Sequence, residues 1–188
     1  MRRAALLLTL LAGGSTPLTT GCGGSDEETA NKAHAAARAT WCFVFKIDGA
    51  DVRIPLSEMN ILLYKDEEYA REHPSPFQIK GDGVMVMGEI PPDASPGYGE
   101  KIENMVGKTL AVKPAVDFHH EGTLESKITL PGKPEIGILS GTLIGEKMTG
   151  KWSGSENGDK TLHGKVKLIL RDGRTIEGNF SVHAITWG

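Results

Sequence analysis

The chain is poor in the residues that usually announce chemistry. It has two cysteines, Cys22 and Cys42, and no Cys-x-x-Cys pair of the kind that holds a metal or exchanges a disulfide. No histidine or basic residue flanks Cys42 to lower its pKa, which argues against a catalytic thiolate. Positive charge is not in excess: 21 Lys and Arg stand against 24 Asp and Glu. No basic cluster exists, so the electrostatic footprint of a nucleic-acid binder is missing. There is no glycine-rich phosphate loop with its lysine and no Gly-x-Ser-x-Gly. Carboxylate pairs such as Glu67 with Glu68 read as a solvated helix start. No apolar run exceeds the eleven residues Ala4 to Gly14. As a helix that run rises roughly 16 Å, about half of a ~30 Å hydrocarbon core, and cannot span it.

What is abundant is turn chemistry. The chain has 24 glycines and 10 prolines, many beside Asp or Asn, the composition of a chain that reverses often and forms β structure.

At the N-terminus, Arg2 and Arg3 precede the apolar run, and Gly21 stands just before Cys22. A positive stretch, a short apolar core and a small residue before a cysteine resemble the signal of a bacterial lipoprotein. The resemblance covers residues 1–22 only. It implies that residues 1–21 are cut away and that Cys22 becomes a lipidated N-terminus holding the product on a membrane. The usual Leu, Val or Ile three residues before the cysteine is replaced by Thr19, with Leu18 one step further out. Secretion after an upstream cut is the alternative. Gly23 after the cysteine resembles lipoproteins sorted to the outer membrane, and the expected address is the outer membrane or periplasm-facing envelope.

Residues 22–40 are small, polar and charged, as a tether between lipid and domain would be. Removing residues 1–21 takes away Arg2 and Arg3 and no acid, moving the formal charge from −3 to −5. Residues 41–188 then form one domain. With Cys22 lipidated, Cys42 has no partner and is expected to be buried beside Trp41 and Phe43 as a small hydrophobe.

Within the domain, Trp41, Phe43, Phe45 and Ile47 alternate with Cys42, Val44 and Lys46 up to the Asp48-Gly49 turn, which signals a hairpin into Val52 and Ile54. Asn60 to Tyr64 reads as a third strand. A helical turn follows, capped by Asp66 and ended by His73 and Pro74. Phe77 to Lys80 and Val84 to Ile90 bracket Gly81-Asp82-Gly83 as a further hairpin, its second strand apolar on both faces. Ile102 to Val106 reads as one helical turn, Thr109 to Lys113 as a strand and Thr123 to Leu130 as another. A weak echo relates 141–153 to 164–181, each copy reading as strand, turn, strand. The expected fold is all-β: an antiparallel β-sandwich, or alternatively a partly closed meander β-barrel, with one or two short helical turns.

One segment has ligand chemistry. In an extended strand Asp117, His119 and Glu121 would share a face and could supply two or three ligands to zinc or a similar ion. No cofactor is otherwise implied. Trp41, Trp152, Phe180 and Trp187 read as core, or as the lining of an apolar pocket. Ser153 and Ser155 sit in a glycine-rich connection. The leading expectation is a lipid-anchored envelope lipoprotein with a non-catalytic β domain for binding or structural interaction, its partner unspecified. A carrier of a small hydrophobic ligand comes second, and a metal-dependent enzyme at His119 third.

Overall fold

Alternation of large apolar and polar residues builds nearly all of this molecule. The computed structural model describes residues 40–64, 66–95, 102–118, 121–150 and 160–187. Its strands are β1 (Cys42–Ile47), β2 (Ala50–Leu62), β3 (Ser75–Gly81), β4 (Val84–Ile90), β5 (Thr109–Lys113), β6 (Ala115–Phe118), β7 (Gly122–Glu125), β8 (Lys127–Thr129), β9 (Glu135–Thr149), β10 (Thr161–Leu170) and β11 (Thr175–Trp187). A six-residue helix, α1 (Glu67–Glu72), and a 3-10 turn (Ile102–Met105) interrupt them. The all-β expectation holds, with its short helical turns.

Eight strands pair in the order β10-β11-β1-β2-β3-β4-β5-β9, and β9 pairs back with β10, so the sheet closes into a ring. Closure joins what would otherwise be the two faces of a sandwich and leaves few open edges. Tight turns gather at one end. Asp48 and Gly49 both take positive φ, 52° and 81°, the two-residue geometry that matches strand twist. Each ring strand sends one side inward. Phe43, Phe45, Met59, Ile61, Phe77, Ile79, Leu110, Leu143, Leu162 and Leu168 are fully buried in a single cluster.

One pairing departs from the antiparallel rule. β1 is six residues long and its neighbours β2 and β11 are thirteen. Beyond the start of β1 those neighbours meet directly, Met59–Leu62 against Ala184–Trp187, and run parallel because each is antiparallel to β1. The ring therefore has eight strands at the end with the tight turns and seven at the other.

Three sequence readings need correction. Asn60 to Tyr64 is not a separate strand, because β2 runs through Pro55 with an irregularity between Leu56 and Glu58 that keeps Ile54, Leu56, Met59 and Ile61 all inside. Thr123 to Leu130 is not one strand either. The chain leaves the ring at Pro114, makes the hairpin β6–β7, and re-enters at Ser126, whose N–H donates to the Pro114 carbonyl at 2.8 Å. The Ser126 hydroxyl accepts from the Met87 N–H at 2.8 Å and donates to the Lys113 carbonyl at 2.5 Å, fixing the break. The first half of the internal echo is not strand, turn, strand, since β9 continues unbroken to Thr149.

Other local readings match. The Asp66 carboxylate accepts from the N–H groups of Glu68 and Tyr69 at 2.9 and 3.0 Å, capping α1. On the outer face of β4, Met85 and Met87 are covered as expected of a two-sided strand. Their cover is the β6–β7 hairpin, through Val116, Phe118 and Leu124, with Leu62 beside them.

Candidate binding groove

Side chains that point outward from β1, β9, β10 and β11 line a shallow groove of about 470 Å³. Register assembles it. Lys165 lies between Ile144 and Asn179, and Lys167 between Thr142 and Glu177, on consecutive outward positions of β10. Lys46 enters from β1. Ile144 is 39% exposed and supplies an apolar patch among these polar groups.

Three lysines thus converge, each already beside an acid. Lys167 meets Glu177 at 2.7 Å, Lys165 meets Glu146 at 3.0 Å, and Lys46 meets Asp51 at 3.7 Å. Pairs this exposed contribute at most about 1 kcal/mol. A ligand carrying its own carboxylate or phosphate can take over one of these ammonium groups at small cost. Along the same face, His163 Nε2 lies 2.7 Å from the Thr149 hydroxyl. Partial burial, with Lys147 adding to it, holds the His163 imidazole below its ordinary pKa.

Beneath this face the ring coils tightly around two glycines. Gly178 lies against the Val44 carbonyl and Gly164 against the Ile144 carbonyl, closer than any Cβ would allow. The Phe180 ring covers Gly164, its cross-strand partner, and Phe180 is buried in the core, one of the two readings the sequence offered for it. Trp41 is also buried, edge-to-face with His183 at 4.9 Å. Trp152 and the Trp187 side chain lie outside the described residues, as do Ser153 and Ser155.

The residues singled out as metal ligands are placed differently from the extended strand that motivated them. β6 ends at Phe118 and the chain turns, the Glu121 N–H donating to the Phe118 carbonyl at 2.7 Å. Asp117 is exposed opposite Thr123. Glu121 instead reaches the ring, accepting from Gln78 Nε2 at 3.3 Å and from Lys80 Nζ at 3.2 Å. These two donors hold its carboxyl below the usual range, Gln78 foremost. His119 lies outside the described residues, and among those described no three His, Cys, Asp or Glu side chains cluster to hold a metal ion. Cys22 also lies outside them. Cys42 is buried, its Sγ 3.5 Å from the Thr40 carbonyl.

No family model, curated protein or solved structure matches this chain. The groove is accordingly read from its own chemistry.

Sequence reasoning did not find it. The outward half of the alternation in β10 and β11, with Lys165, Lys167, Glu177 and Asn179, was visible as polar positions. Their convergence with Lys46 and Thr142 depends on pairing between strands up to about 140 residues apart, which no local pattern carries.

Proposed function

We propose that this protein is a lipid-anchored envelope lipoprotein whose β domain binds a partner without catalysis, through the groove formed by β1, β9, β10 and β11. The observation that carries the reading is the contrast between the filled interior of the ring and the open, charge-lined groove outside it. A small hydrophobic cargo would need room inside, where the described positions are taken by large side chains.

The position of the groove relative to the supposed anchor supports the same reading. Eighteen residues, 23–40, can bridge at most about 60 Å. They lead through Trp41 into β1. Lys46 lies five residues further along β1, roughly 17 Å toward the tight-turn end. A partner can therefore approach the groove from the side remote from the tether.

Two measurements test the proposal. Growth with a clickable fatty acid should label the wild-type protein and leave Cys22→Ser unlabelled; an unlabelled wild type removes the anchor. Photo-crosslinkers placed at Thr142 or Asn179 in living cells should give discrete adducts, while crosslinkers at the exposed positions Glu68 and Arg71 should not. Equal adduct patterns at all four positions would refute the groove as the binding face.

A further inference from the structure

We propose that Met85 is an oxidation site that controls whether the β6–β7 hairpin stays on the ring. The hairpin is an excursion from the sheet, tied at its base by Ser126. Among the described residues, two things hold it away from the base. One is the small cluster of Met87, Val116 and Phe118, with Leu62, Met85 and Leu124 packed against it, separate from the main core. The other is the contact of Glu121 with Gln78 and Lys80.

Within that cluster the two methionines differ in access. Met87 is fully buried and Met85, two residues before it on the same outer face, is half-buried. Gln78, fully buried beside them on β3, keeps its Oε1 without a hydrogen-bond partner among the described residues. Such an acceptor gains a partner when water reaches it, so the closed position carries a standing cost.

A peroxide is the reagent. One peroxide oxygen forms a bond to the Met85 sulfur as the O–O bond breaks. The sulfur is oxidised by two electrons, the other oxygen is reduced, and it departs with both hydrogens as water. The product sulfoxide is polar and sits among apolar side chains, which weakens the cluster and lifts the hairpin. Met87 is then exposed and oxidises in turn. Met59 and Met105, as fully buried as Met87 but in the main core, do not follow.

The test is a peroxide time course on the full chain in detergent, with mass spectrometry at each methionine. Of Met59, Met85, Met87 and Met105, Met85 should oxidise first and Met87 second, both at least tenfold faster than Met59 and Met105, whatever the rate of the partly buried Met148. Cleavage after Glu121 and Glu125 by a glutamate-specific protease should rise about tenfold in step with Met85 oxidation. In Met85→Leu, which keeps the cluster apolar, Met87 oxidation should slow at least fivefold and cleavage should no longer respond to peroxide. Met87 oxidising no faster than Met59, or at the same rate in Met85→Leu as in the wild type, or cleavage indifferent to oxidation, would overturn the proposal.

Discussion

Replacing Gly164 with alanine tests whether the tight coiling of the ring is enforced by backbone contact. A Cβ at this position would overlap the Ile144 carbonyl, and it would lie 2.9 Å from both the Ile144 carbonyl carbon and Phe180 Cε1. The ring of Phe180 can tilt. The carbonyl cannot move without disturbing the β9–β10 ladder, which already changes register between His163 and Gly164. Overpacking in a well-packed site costs about 1–3 kcal/mol, and loss of one or two ladder hydrogen bonds adds about 0.5–1.5 kcal/mol each. Against this, alanine narrows the unfolded ensemble by about 0.4–1 kcal/mol. The net expectation is a loss of about 2–4 kcal/mol. For a domain of about 150 residues this lowers Tm by roughly 5–14 °C. Differential scanning calorimetry of the full chain reads it directly. Adding Phe180→Ala should not restore stability, because the carbonyl rather than the ring is the obstacle. Gly173→Ala is the comparison: it has positive φ, 87°, but no atom within 4 Å of its Cβ, so only backbone strain of about 1 kcal/mol is at stake. A Gly164→Ala protein melting within 2 °C of wild type would refute the reasoning, as would rescue by Phe180→Ala.

Three further outcomes are expected. Ser126→Ala leaves the Met87 N–H buried without its acceptor and should cost about 1–3 kcal/mol in denaturant melts, with no loss refuting the role of Ser126 in fixing the break between β7 and β8. His163 has its folded pKa below its unfolded value, so the unfolded chain binds more protons as pH falls. The stability it contributes is complete above about pH 6.5 and declines as pH drops from there toward the folded pKa. His163→Gln should flatten that slope, and an unchanged pH profile between 7 and 5 would count against the burial argument. Cys42 should resist maleimide until the protein is unfolded, and, with Cys22 lipidated as proposed, the denatured chain should then titrate one thiol. Two thiols would mean a free Cys22, and none would mean a disulfide.

Much of the fold was legible because its local chemistry is consistent. The alternation of Phe43 and Phe45, the Asp48-Gly49 turn and the cap of Asp66 each point to one conformation whatever lies elsewhere. The two-sided apolar pattern of Val84 to Ile90 also signalled a covered strand. What could not be read were features created by distant partners. The irregularity at Leu56–Glu58 looks like a strand end in isolation, and only pairing to Lys80 and Ile79 carries β2 through it. Ser126 sits in a clean alternation from Thr123 to Leu130, yet its hydroxyl ties two backbone segments, at Met87 and Lys113, and breaks the strand. The same limit applied at the candidate sites. Asp117 and Glu121 were placed by a period of two that ends at Phe118, where the chain turns. The lysines of the groove were each unremarkable until register brought them together.

The insertion of β1 between β2 and β11 also sets an order of events. Cys42 pairs with Ser181, so the strand that is made first must wait for the one that is made last. Until Ser181 and its neighbours exist, Phe43 and Phe45 can be held only by β2, with one flank of β1 and part of the interior open to other chains. β2 meanwhile has two competing claims on its edge, from β1 and from the end of β11. Closing a loop of this length is slow. The time between release of the first strand and arrival of the last is the interval in which this protein is most exposed to aggregation or capture by a chaperone.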